Sequence, residues 1–198
     1  MPTPVAHTLA GYIVSQFTPK TKHISLSSLV LVLFMANAPD LDFLPGLLVG
    51  KPSMYHSGIT HSLGFALLFS LVGATLYSLR SRQFLPVFVM CFFAYLSHLF
   101  LDFMNPDGRP PYGVPFFWPL SNQYFISPVP LFLGVHHSGS TSNQDFIKSV
   151  LSLQNLLGIA YEIIALTPFL FLARWNRNRK VIRERKNRDN QYVEDGTI

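Results

Sequence analysis

In the stretch "LSHLFLDF", residues 96–103, an imidazole and a carboxylate lie four positions apart at the end of an apolar run. On a helix such positions stack on one face, so His98 and Asp102 aim at a common spot. Groups of the same kind recur upstream: His7, then Asp40 and Asp42 in "APDLD", then His56 and His61 in "HSGITHS". Imidazole with carboxylate is a donor set for zinc, manganese or iron, and the single Cys91 rules out a thiolate-built structural zinc site. The reading is a divalent metal centre of zinc, manganese or iron, one to three ions, with His7, Asp40, Asp42, His56, His61, His98 and Asp102 as candidate ligands.

Each piece alone has a plainer explanation. His98 and Asp102 suit a hydrogen-bonded pair at a helix end, Asp40 and Asp42 are common turn residues, and His56 and His61 suit a surface or a cap. Together they are harder to dismiss. Three carboxylates near hydrocarbon, with no Lys or Arg among these motifs, are costly unless a cation neutralises them. Locally, Asp40 and Asp42 would face one side only if the backbone there is extended, which Pro39 and a helix end permit. His56 and His61, five apart, would diverge by ~140° on one helix, so His56 belongs in a loop, with Thr60 as N-cap and His61 in the first turn that follows.

The elements that must position these groups are apolar. Only 13% of the residues are charged against 49% hydrophobic, whereas a soluble domain carries about a quarter charged residues. Five segments begin at Val5, Ile24, Leu63, Phe84 and Leu151; the last two are long enough to cross ~30 Å of hydrocarbon, the third is at the short limit, and the first two are weaker. The fold class expected is all-α, a multi-helix integral membrane bundle of about five segments with long outer-face loops. The start of the chain lacks a basic n-region, so no cleaved signal peptide is expected. Residues 1–173 form the helical domain and 174–198 a basic tail, expected to be polar and largely disordered beyond Lys180.

Charge sets the orientation. The connections containing "TPKTKH" and "RSRQ", together with the tail, hold twelve of the fifteen Lys and Arg residues, which assigns that face to the cytoplasm. Every acid and imidazole named above then falls at the other ends of the segments, near the outer face. Eight basic residues directly after an apolar segment read as a membrane anchor beside anionic lipid, not as a nucleic-acid site. His23 reads as a solvated cytoplasmic residue. His136 and His137 lie in a long outer loop, and Glu162, alone in the last apolar segment, is a candidate interior or proton-handling group.

The ordered series "AHTLAG", "APDLD", "HSGITHS", "LSHLFLD" and "FFWPLSNQYF", over about residues 5–126, resembles the YdjM-type inner-membrane metal-dependent hydrolases. It departs from that family at Ser57, where Arg is frequent. The resemblance implies a helical membrane protein with its metal site at the seven residues above, distantly similar to zinc-dependent phospholipase C and P1-type nucleases. The segment "RPPYGVPFFWPLSNQYF" then becomes a candidate lining, with Trp118 at the interface and Ser121 as a polar substrate contact. The expected activity is hydrolysis of a phosphoester in a lipid-like substrate by metal-activated water, with Asp42 as candidate general base. The alternative is a non-enzymatic ion or proton conduit or scaffold in which the same cluster is structural.

Overall fold

The computed structural model describes residues 1–17, 25–51, 54–108, 110–134, 148 and 151–194. His23, His136 and His137 lie outside them. The elements among the described residues are all helices, joined by irregular connections with one isolated antiparallel bridge between Val114 and Phe125. Helix α1 (Pro4–Gln16) starts at Thr3, whose hydroxyl accepts from Ala6 N, with Pro4 at a first-turn position that needs no amide hydrogen. Helix α2 (Leu26–Asn37) starts at Ser25, which caps Ser28 N and also meets the Tyr77 hydroxyl at 2.9 Å. It runs without interruption into a 3₁₀ turn, Ala38–Asp42, and then α3 (Phe43–Leu48).

That continuation changes the reading of the second apolar segment. Leu26–Leu48 is 23 residues long and joins Leu63–Ser81, Phe84–Phe103 and Leu153–Asn187 as one of four stretches long and apolar enough to cross a membrane. Helix α4 (Leu63–Ser81) begins at Ser62, whose hydroxyl accepts from Phe65 N, and stops where Arg82 turns left-handed at φ 52°. Helix α5 (Phe84–Phe103) follows at once, and this tight hairpin makes α4 and α5 close neighbours. Helix α6 (Leu153–Glu194) packs chiefly along α1. It carries the basic stretch to Glu194 as unbroken helix where the sequence suggested a disordered tail: Arg, Lys and Glu are good helix formers, and an existing helix propagates more cheaply than a new one nucleates.

The core at the middle of the bundle is Val32, Met35, Ala36, Ala74, Val87, Met90, Cys91 and Ala94. Small residues bring helices close: a Cβ on Gly11 would lie 2.5 Å from that of Ala36, so α1 and α2 touch through a glycine and an alanine. The outward faces of α4 and α6 are apolar, with Leu68, Leu71, Leu76, Ile164 and Phe171 half or more exposed, as a lipid-facing surface requires.

Residues 105–108 and 110–134 form an irregular clasp over one end of the bundle. The carbonyls of Phe116 and Trp118 accept from Leu63 N and Gly64 N at 2.9 and 3.0 Å, while Ser127 N and Leu131 N donate to the carbonyls of Phe103 and Met104, each at 2.8 Å. The clasp thus satisfies orphan groups at the start of α4 and the end of α5 together. Those two ends carry the groups described next.

Candidate metal centre

The start of α1, the 3₁₀ turn after α2, the approach to α4 and the end of α5 meet at one end of the bundle, and they bring all seven residues together. His61 and His98 are fully buried, and their Nε2 atoms face each other at 3.3 Å. Asp102 Oδ2 lies 3.2 Å from the first and 3.1 Å from the second. Asp40 Oδ1 lies 3.7 and 3.5 Å from the same two nitrogens and 3.9 Å from His56 Nδ1. The His7 ring stacks on that of His98 with centroids 3.6 Å apart, and its Nε2 is 3.6 Å from Asp102 Oδ1.

The ring orientations follow from what each second nitrogen meets. Ala36 O, a pure acceptor, lies 2.8 Å from His98 Nδ1, so that nitrogen carries the proton and Nε2 presents a lone pair. On His61, Nδ1 sits 3.2 Å from Asp42 Oδ2, which again leaves Nε2 to the cluster. Two nitrogen lone pairs at 3.3 Å repel unless a proton or a cation lies between them. Asp102 Oδ1 and Oδ2, Asp40 Oδ1, both nitrogens of His7 and His56 Nε2 are buried without a hydrogen-bond partner. Orphaned polar atoms on this scale are rare in native interiors.

Two of the clustered groups, His56 and His61, lie in the connection between α3 and α4. Burial alone would lower the His61 pKa, but Asp102, Asp40 and Asp42 outweigh it and hold the imidazole well above its usual range. His56 goes the other way, because burial outweighs its bond to Asp42. The acids around His61 therefore recruit positive charge even when a proton is all that is on offer.

The donors fit a metal. Around a tetrahedral ion with ligand bonds of ~2.0 Å, ligand atoms stand ~3.3 Å apart, and the His61–His98–Asp102 triangle has sides of 3.1, 3.2 and 3.3 Å. Two further groupings, His7–Asp40–His98 and Asp40–His56–His61, also have ligand atoms mutually within 4.8 Å. Six of the seven expected ligands thus fall in overlapping triads. Asp42 is the exception.

Asp42 and Asp40 are held apart because the backbone between them is a 3₁₀ turn and not extended. Asp40 reaches the Nε2 side of His61 while Asp42 reaches its Nδ1 side. Both Asp42 oxygens are engaged, Oδ1 by His56 Nδ1 at 2.8 Å and Oδ2 by the Thr60 hydroxyl at 2.8 Å. Thr60 is therefore not the cap of α4: Ser62 takes that role, and His61 precedes the helix. Tyr95, fully buried, donates its hydroxyl to Thr60 O at 2.7 Å and pins the same loop to α5.

Several supporting groups escaped sequence reasoning. The Ala36 carbonyl has no side-chain signature, and Tyr95 looks like one more aromatic in an apolar run. Phe43, stacked on His56 at 3.9 Å, could have been found only from its nearness to Asp42 in sequence. Trp118 and Ser121 sit on the clasp: the Trp118 ring packs 5.5 Å from Phe65, and the Ser121 hydroxyl accepts from Gln123 N. Glu162, only 2% exposed, is taken up at the start of α1, where Thr3 donates its amide at 2.9 Å and its hydroxyl to the carboxylate.

The profile of the YdjM inner membrane protein family matches residues 1–179. The chain belongs to this family. The match covers all of the clustered residues and most of α6, so the metal-type donor cluster lies within the family region of an inner membrane protein. No curated protein and no solved structure matches the chain.

Proposed function

We propose that this YdjM-family chain is a membrane-embedded, metal-dependent hydrolase acting on a phosphoester in a lipid-like substrate. The reading rests on one observation above all: three buried ligand atoms, on His61, His98 and Asp102, at mutual distances of 3.1–3.3 Å with no hydrogen-bond donor for either carboxylate oxygen. His61, His98 and Asp102 hold the ion, with Asp40, His7 and His56 around them. What a divalent ion supplies there is Lewis acidity, which brings the pKa of water from ~16 to ~7 and polarises a phosphoryl oxygen.

The remaining roles belong to the chain. Asp42 and Ala36 O fix the rings of His61 and His98 so that Nε2 of each faces inward. Asp42 was the sequence candidate for general base, but with both oxygens engaged it suits orientation better. We assign proton acceptance to Asp40, whose side chain is 14% exposed against 7% and 4% for Asp42 and Asp102, so it is the acid a substrate water can reach. Trp118 and Ser121 are assigned to substrate contact, since the clasp that carries them is bonded to Leu63 and Gly64, beside His61.

The centre is placed toward the outer face with the α6 tail in the cytoplasm, on the strength of the charge bias between connections. Reporter fusions at Arg82 and after Lys180 test that orientation; an outward signal from either contradicts it. The function itself is tested by incubating the purified, metal-loaded protein with a panel of phosphoesters and lipid phosphates. Turnover lost in His61→Ala and Asp102→Ala supports it, and a metal-replete protein inert on every phosphoester favours the structural alternative.

A further inference from the structure

Helices α1, α2 and α6 border an open groove of about 640 Å³ that none of the candidate ligands lines. Its walls are Val5, Leu9, Leu33 and Ile163 with Thr8 and Tyr12, and almost all of the lining surface is carbon. The two hydroxyls are turned to other partners. Thr8 Oγ1 accepts from Asn37 Nδ2 at 3.0 Å, and the Tyr12 hydroxyl accepts from Arg174 at 3.0 Å. The groove is therefore apolar along its length and ends at a guanidinium.

A second guanidinium stands beside the first. Arg177 is one turn further along α6, and its Nη1 donates to Gln16 Oε1 at 2.9 Å, where Gln16 is one turn beyond Tyr12 on α1. Each Arg is thus tethered to a neutral group through one of five N–H donors, and its charge is not cancelled by that tether. From Pro4 to Tyr12 the groove follows α1 for ~12 Å at ~1.5 Å per residue, most of the ~15 Å depth of one leaflet.

We propose that this groove holds one acyl chain of an anionic phospholipid whose phosphate is bound by Arg174 and Arg177. The assignment is independent of the hydrolase reading. A second copy of the chain is the poorer occupant. Two-fold pairing about an axis along the bilayer normal, the usual closed arrangement, would bring Arg174 and Arg177 against the same residues of the other copy. A lipid phosphate meets them with the opposite sign, and two planar guanidiniums one helical turn apart suit its oxygens.

The test is native mass spectrometry of the full chain, released from detergent and titrated with phosphatidylglycerol or with phosphatidylcholine of the same acyl chains. Wild type is expected to retain one phosphatidylglycerol with at least tenfold preference over phosphatidylcholine. Arg174→Gln with Arg177→Gln, both outside the core, is expected to abolish that preference, and Leu33→Trp, which fills the groove, to reduce retention of both lipids. No preference in wild type, an unchanged preference in the double Arg variant, or a lipid-free dimer as the dominant species would each overturn the assignment. Should Leu33→Trp fail to fold, Ile163→Trp, from the exposed wall on α6, puts the same question to the groove.

Discussion

His61 and His98 meet Nε2 to Nε2 at 3.3 Å, although they are 37 positions apart in the chain, with one whole spanning helix and most of a second between them. Neither nitrogen reaches that position by accident. Asp42 holds the far side of one ring and the Ala36 carbonyl the far side of the other, so both lone pairs are driven into a space also occupied by Asp102. Such an arrangement is self-repelling unless a proton or a metal ion lies between the two nitrogens.

If Asp42 orients and does not ligate, Asp42→Asn should weaken metal binding by about 10–100-fold while leaving the number of ions bound per chain unchanged. Thr60→Val, which removes the hydroxyl donor to the same carboxylate, should move affinity in the same direction by less. Metal titration by calorimetry checks both. Loss of an ion from Asp42→Asn would return this residue to the ligand set.

Proton competition sets a pH dependence. Of the two rings in the connection before α4, His61 has the raised pKa and His56 the lowered one, so of this pair His61 is the ring that carries a proton near neutrality in the metal-free chain. An ion must displace that proton. Affinity should therefore fall as pH falls below the raised His61 value, and binding should release about one proton from this ring, measured as the dependence of binding heat on buffer ionisation enthalpy. Uptake of protons on binding would contradict the assignment of charge to His61.

The close contact of α1 and α2 positions a ligand. Gly11 is one turn after His7 on the same face and lies against Ala36, whose own carbonyl orients His98. Gly11→Leu should overpack this contact at a cost of about 1–3 kcal/mol and should lower metal affinity as well, since His7 moves with α1. Thermal unfolding in detergent and metal titration read the two effects separately.

Glu162 is predicted to matter for the entry of α1. Replacing it by Ala leaves the buried Thr3 amide and hydroxyl without their acceptor, at a cost of about 1–3 kcal/mol. Glu162→Gln keeps an acceptor for the amide and should recover part of that loss. An Ala variant as stable as wild type would show that the carboxylate does not hold α1.

The candidate ligands were legible in the sequence for a simple reason: in an up-and-down bundle, groups at alternate ends of successive segments return to one level. The i, i+4 spacing of His98 and Asp102 and the position of His7 at a helix start carried that argument. What the sequence could not show was the backbone between ligands. Pro39 permits either an extended segment or a 3₁₀ turn, and only packing decides that Asp40 and Asp42 take opposite sides of the His61 ring. Thr60 looked like a cap because it precedes a His and an apolar run, yet Ser62, two residues on, is the better placed hydroxyl. The clasp joining the start of α4 to the end of α5 is made of backbone bonds from an irregular segment and left only a run of Pro and aromatic residues as its trace.

The most direct measurement is elemental analysis of the full chain, purified in detergent without chelator, beside His61→Ala and Asp102→Ala. A stoichiometric divalent metal, zinc foremost, in wild type and its loss from both folded variants is the predicted result. Wild-type protein that stays metal-free after dialysis against zinc, manganese and iron would contradict the account.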